Sequence, residues 1–250
     1  IVPALLELIA NADNSNAIIP NCLKSICFGG GPVSKSVISR VHEKLMNCAL
    51  YQTYGMTEAG PRVTTHRVSK DNLTSVGRPI ECAEVRIKAA SSEIDGLTGE
   101  IQIKTDSLMI GYIDQGNIVE STELCTPDGW YKTGDVGKVD RTGNFYIEGR
   151  NDSMIIVNGI NVFPEEIEEV LESHELVDSC LVSGLSDSNT GQGILCKVML
   201  SDSARDHAVP DVLETIKMFC FANLSSHKQP KEMRLVDAIE RTYNNKKKRA

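Results

Sequence analysis

GRNDSMIIVNGINVFPEEIEEVL, residues 149–171, is where the rhythm of the chain changes, and its reading decides the fold. SMIIV reads as a strand, a Gly-Asn-rich turn follows, and Pro164 suits the first turn of a helix whose Ile167, Val170 and Leu171 share one face. Downstream, SCLVSGL and ILCKVML read as strands, and Val212, Leu213, Ile216, Phe219 and Cys220 mark an amphipathic helix. Residues from about 153 to 250 thus form a small α+β unit of ordinary domain size. Upstream, from about Val76 to Glu148, the short alternating runs EVRIK, EIQIK and NFYIE are separated by Gly-containing turns, which makes a β-rich module. Nearer the start, Val37, Ile38, Val41 and Leu45 fall on one helical face behind a Ser34 N-cap, after the turn-prone FGGGPVS. The expected class is α/β and α+β, divided into residues 1–151 and 152–250.

Composition bounds the function. The 250 residues are 41% apolar and 24% charged, with a net charge of -8, so a general basic footprint for nucleic acid is missing. The one concentrated basic run is Lys246 to Arg249. No stretch approaches the ~20 apolar residues of a membrane helix, and IVPALLELIANAD lacks the basic flank of a signal peptide. No membrane span is expected, and the chain reads as cytoplasmic. Its 8 cysteines are scattered with no CxxC pair, so they are expected to be reduced and mostly small core residues.

Four segments carry candidate chemistry. In FGGGPVS, Gly30 and Gly31 serve either a strand-to-helix turn or a close backbone approach to a flat ligand or phosphate. In YQTYGMTEAG, Tyr54, the flexible Gly55, Thr57 and Glu58 put a stacking ring, a hydroxyl and a hard carboxylate within five positions. Taken alone, Thr57 reads as a helix cap and Glu58 as solvated. In GWYKTGDVGKVD, Asp135 reads as a turn residue, or as a carboxylate that accepts from two vicinal hydroxyls. In the opening stretch, Arg150 offers a planar fork of donors and Asp152 sits at the proposed junction, while Glu165, Glu166, Glu168 and Glu169 read as a solvated helix face.

Each segment alone is weak, but their order and spacing are specific. YGMTE, WYKTGD and GRNDSMIIVNGINVFPEEIE, with GGGPVS before them, resemble the signature segments of the adenylate-forming (AMP-binding) superfamily, in its acyl-CoA synthetase form. The resemblance runs from about Val2 to the last residues. It implies the C-terminal part of a large domain followed by a small α+β lid domain, hinged at Asp152. It also implies that Tyr54 stacks on adenine beside Gly30, Gly31 and Gly55, that Thr57 holds the α-phosphate and Glu58 binds Mg²⁺, and that Asp135 and Arg150 hold the ribose. Gly159 would face the pantetheine tunnel. The terminal ERTYNNKKKR resembles PRTxxGKxxR, with Glu240 and Asn245 departing from it, and places the adenylating lysine at Lys246; the three consecutive lysines leave Lys247 as an alternative register, and a disordered basic tail is the other reading of this segment.

The implied ligands are ATP or AMP, Mg²⁺ and CoA; the implied partners are a small carboxylic acid or fatty acid, and CoA or an acyl carrier protein. The activity would be ATP-dependent carboxylate activation followed by thioester formation; the alternatives are a carrier-protein acyl ligase or adenylation domain, and a non-catalytic nucleotide-binding remnant. The family's Ser/Thr/Gly-rich phosphate loop ending in Lys is missing upstream of Gly29, and the chain begins with Ile1. The chain is therefore expected to be the C-terminal half of a longer enzyme.

Overall fold

A computed structural model describes residues 1–12, 22–93, 96–120, 122–187, 191–204, 209–242 and 247–249. It divides into two compact units, Ile1–Ile147 and Glu148–Ala250. The division falls a few residues before the Arg150–Asp152 junction expected from the sequence.

The first unit opens with α1 (Pro3–Asn11), β1 (Ser25–Gly29), α2 (Lys35–Lys44), β2 (Ala49–Met56), β3 (Gly60–Arg67) and β4 (Arg78–Pro79), whose strands form one sheet in the order β1-β2-β3-β4. β1 and β2 run parallel, with α2 as the crossover, and β2 and β3 are antiparallel. The Ser34 hydroxyl caps α2 by accepting from the Val37 N–H, and Val37, Ile38 and Val41 are buried with Phe28 and Leu50. That apolar face holds the strand-turn-helix in place.

A second sheet contains β5 (Ala83–Glu93) and β6 (Gly96–Thr105), then, after the small hairpin of β7 (Gly111–Asp114) and β8 (Asn117–Glu120), β9 (Tyr131–Val139) and β10 (Phe145–Arg150), in the order β10-β9-β6-β5. EVRIK, EIQIK and NFYIE are therefore strands, as their alternation indicates. Asp135 is not in a turn: it sits in mid-β9, where Tyr131, Thr133, Asp135 and Gly137 alternate inward. Period-2 alternation buries its carboxylate, which is 9% exposed.

The second unit holds β11 (Ile155–Val157), β12 (Ile160–Val162), α3 (Pro164–Glu172), β13 (Val177–Asp187), β14 (Gly191–Leu200), α4 (Val209–Asn223) and β15 (Glu232–Leu235). Its sheet runs β12-β11-β14-β13, with β15 pairing parallel to β14. Ile167 and Leu171 of α3 and Val212, Ile216 and Cys220 of α4 close one core with Ile155, Val182, Ile194 and Val198. Two sequence expectations fail. Only Cys180, Cys196 and Cys220 are buried, while Cys22 and Cys82 are exposed, although all 8 are free thiols. Nor is α3 a wholly solvated acidic face: Glu168 is 5% exposed. Among the described residues, no helix is long and apolar enough to cross a membrane.

The turn that returns β9 to β10 is organised by Asp140. Its carboxylate accepts from the Thr142 and Asn144 backbone N–H groups at 2.8 and 2.9 Å and from the Tyr146 hydroxyl at 3.0 Å. Partial burial opposes ionisation, but the donors from Thr142, Asn144 and Tyr146 outweigh it and hold the carboxyl well below the usual range. A depressed folded pKa gives stability that is present above the unfolded value near ~3.9 and is lost as pH falls through the folded value. Asp140→Asn is expected to cost about 1–2 kcal/mol in urea unfolding at pH 7, with the gap to the parent chain shrinking below about pH 4.

Candidate active site

The β2–β3 turn carries the first group of candidates. The register shifts between Tyr54 and Met56, and the strands come so close that a Cβ at Gly55 would lie 2.5 Å from the Gly60 carbonyl oxygen. Only glycine permits that approach. Thr57, Glu58 and Ala59 then form a turn rather than a helix start, so Thr57 is not a helix cap; its side chain is exposed and Glu58 is half-buried.

Two bonds from the 105–109 segment pin this turn: the Met109 N–H donates to the Glu58 carbonyl at 2.7 Å, and the Ser107 hydroxyl to the Ala59 carbonyl at 2.8 Å. The Tyr112 hydroxyl donates to Glu58 Oε1 at 2.8 Å. That acceptor, and then burial, raise the Tyr112 phenol above its ordinary value. Tyr112 is not legible in the sequence, because a tyrosine in a short hairpin carries no motif of its own.

Tyr54 and Asp135, 81 residues apart, meet: the Tyr54 hydroxyl donates to Asp135 Oδ2 at 2.5 Å. β9 holds Asp135 from behind, since its N–H donates to Thr133 Oγ1, which in turn donates to the Ile101 carbonyl at 2.7 Å. Two residues before Tyr54, and so on the same face of β2, Gln52 has its Oε1 buried with no hydrogen-bond partner among the described residues. A buried acceptor left unmet is costly unless a ligand donor reaches it. Ring, carboxylate and orphan acceptor fit a nucleoside, and Glu58 supplies the hard oxygen that suits Mg²⁺. Gly30 and Gly31 form the bend after β1.

The remaining candidates lie in the second unit. Arg150 sets its fork on Asp152, with Nε and Nη2 at 3.3 and 3.1 Å from the carboxylate oxygens, and this contact lowers the Asp152 pKa. Both side chains are largely exposed, so the pair adds little stability. Asn158 and Gly159 are the two central residues of the β11–β12 hairpin, at φ 51 and 78, the pair of left-handed positions a two-residue I′ turn requires. A cavity of about 370 Å³ opens beside this tip, lined by Val157, Asn158, Ile160, His227, Gln229 and Lys231.

Lys246 lies outside the described residues. Lys247, the alternative register, is committed elsewhere, with its ammonium 2.9 Å from Glu168 Oε2 and 2.7 Å from Glu172 Oε1. Burial works against its charge, but Glu168 and Glu172 outweigh it and raise the pKa.

A family profile described as AMP-binding enzyme matches residues 1–113, and one described as AMP-binding enzyme C-terminal domain matches residues 166–246. The 2-succinylbenzoate–CoA ligase of Geobacillus sp. (strain WCH70) is 33% identical over 254 residues, covering 98% of this chain and 48% of its own length. The Bacillus licheniformis ligase of the same name is 32% identical, covering 91% and 46%. Among solved structures, the o-succinylbenzoate CoA synthetase of Bacillus subtilis in complex with its acyl-adenylate intermediate has a TM-score of 0.83 at 28% identity, over 99% of this chain and 49% of that one. An amide bond synthetase from Marinactinospora thermotolerans scores 0.82 at 26% identity, over 99% and 50%. The chain spans about half the length of the curated relatives it matches.

The Tyr54–Asp135 bond is testable without any ligand. Tyr54→Phe and Asp135→Asn are each expected to destabilise the chain by about 1–3 kcal/mol, the range for a hydrogen bond to a charged group. In urea unfolding, the double variant should lose at least ~1 kcal/mol less than the sum of the singles, whereas simple additivity would mean that the two side chains do not bond.

Proposed function

The chain belongs to the AMP-binding enzyme family, and on that premise we propose that it serves in an ATP-dependent ligase which joins a carboxylic acid to the thiol of CoA through an acyl-adenylate. The observation that carries this reading is the bond between Tyr54 and Asp135, with the buried Gln52 acceptor two residues before Tyr54 on the same strand. Tyr54 offers its ring to adenine, Gln52 Oε1 accepts from the exocyclic amine, and the Asp135 carboxylate accepts from the ribose hydroxyls. Arg150 is the second ribose contact in this reading, reached by exchanging its exposed pairing with Asp152.

Glu58, whose carboxylate accepts from the Tyr112 hydroxyl, would hold Mg²⁺, and Thr57 donates its exposed hydroxyl to the α-phosphate. Bound magnesium would supply charge neutralisation at the phosphates. In the first step a carboxylate oxygen attacks the α-phosphorus, the bond to the β-phosphate bridge breaks, and pyrophosphate leaves. In the second the thiol sulfur attacks the acyl carbon, the C–O bond to AMP breaks, and the thiol proton is released. Lys246 is the cation for the first step, a choice supported by the ion pairs that engage Lys247. Asp152 is the hinge between the two steps, and the exposed Gly159 tip with its adjoining cavity is the thiol side. 2-Succinylbenzoate, named in the relatives, is the first acid to offer. CoA is the proposed acceptor in place of a carrier protein, and the cytoplasm the proposed compartment.

In the enzyme that contains this chain, Asp135→Ala should lower kcat/KM for ATP by about 10- to 150-fold, equivalent to ~1.5–3 kcal/mol. Lys246→Ala should depress pyrophosphate exchange and leave single-turnover thioester formation from purified acyl-adenylate nearly intact, with Gly159→Leu doing the reverse. Equal loss of both steps in every variant would contradict the two-step assignment.

A further inference from the structure

The second unit contains a buried charge cluster that the reaction as described leaves unused. Glu168 projects from α3 and is almost fully buried. Its Oε1 accepts from the Val182 N–H at 2.9 Å and from Arg249 Nη1 at 2.6 Å, and its Oε2 from Lys247 at 2.9 Å and Arg249 Nη2 at 3.2 Å. One turn on, Glu172 Oε1 accepts from Lys247 at 2.7 Å, the Cys180 N–H at 2.9 Å and the Ser179 hydroxyl at 3.2 Å. Arg249 also reaches Glu165 Oε1 at 2.9 Å and donates to the Val182 carbonyl at 3.1 Å. Two cations from the chain's end are thus held by three carboxylates of one helix.

The other side of the tail is fixed as well. Arg241 and Lys247 pair as an antiparallel bridge, the Lys248 N–H donates to the Glu240 carbonyl at 2.9 Å, and Arg241 Nη2 reaches the Ser179 hydroxyl at 3.1 Å. Positions 241 and 247 are therefore both anchored, and Lys246 directly precedes Lys247 in the sequence.

A buried ion cluster is a poor device for stability alone, because desolvation cancels most of its attraction and a packed apolar substitute does as well. Its distinctive property is geometric: a planar guanidinium fork and an ammonium accept few arrangements around fixed carboxylates. We propose that Glu168, Glu172, Lys247 and Arg249 form a positioning cluster for the first half-reaction, fixing the segment from which Lys246 is aimed at the phosphates. The inference rests on the assignment of Lys246 made above. The four are positioning residues, and none touches substrate in this scheme.

The experiment uses the intact enzyme that contains this chain, with Lys246→Ala as the reference. Lys247→Met and Glu172→Gln, at the less buried edge of the cluster, are the main variants, and Glu168→Gln is the more severe one. Each is assayed by pyrophosphate exchange and by single-turnover thioester formation from purified acyl-adenylate, with thermal unfolding recorded in parallel. Lys247→Met and Glu172→Gln are expected to lower exchange by about 10- to 100-fold, the scale of a misplaced catalytic group, with thioester formation within about twofold of the parent. Lys247→Arg, which keeps the charge, should recover most of the exchange rate.

If Lys246→Ala leaves exchange unchanged, the functional reading itself fails. If Lys246→Ala abolishes exchange while the cluster variants leave it unchanged, or lower both steps in proportion to lost folded protein, the cluster is a structural support and the proposal is overturned.

Discussion

A carboxylate withdrawn from water must be met by donors, and two such groups tie distant parts of this chain together. Asp135 and Glu168 are each less than a tenth exposed. Each is met from far along the sequence: Asp135 by Tyr54, 81 residues before it, and Glu168 by Lys247, 79 residues after it. The first contact ties β2 to β9 within the first unit and assembles the face proposed for the nucleoside. The second ties the chain's end to α3 within the second unit. Both contacts are directional in a way that apolar packing is not. A mispacked leucine leaves a gap, whereas an unmet carboxylate costs enough to be rejected.

Much of the architecture was legible because local patterns and tertiary burial agree. The Ser34 cap, the apolar face of α2 and the alternation of β5, β6 and β10 were all read from spacing, and each lies where its buried face meets a core. The Asn158-Gly159 turn was legible for the same reason, since two left-handed residues between short strands leave few options.

Reading failed where long-range pairing overrides local signals. Gly134 and Gly137 around Asp135 look like turn punctuation, yet both lie inside a strand. The acidic start of α3 looks like a solvated face that complements the helix dipole, yet Arg249 and Lys247 draw Glu165 and Glu168 inward. Burial at Glu165 is enough to raise its pKa even with Arg249 beside it. Tyr112 and Gln52 were invisible for a different reason: one matters through a contact 54 residues away, the other through an acceptor left unmet, and neither is a property of residue type.

The two units divide the proposed labour. Tyr54, Gln52, Asp135 and Glu58 belong to the first, while Arg150, the tail and the Gly159 tip belong to the second. The claim beneath all of this is that the carboxylate itself attacks the α-phosphorus. Transfer of oxygen from substrate to nucleotide tests it most directly. With an ¹⁸O-labelled carboxylic acid that the enzyme turns over, the account predicts AMP carrying one ¹⁸O atom and unlabelled pyrophosphate. Label in inorganic phosphate with ADP as the product, or AMP free of label, would contradict it.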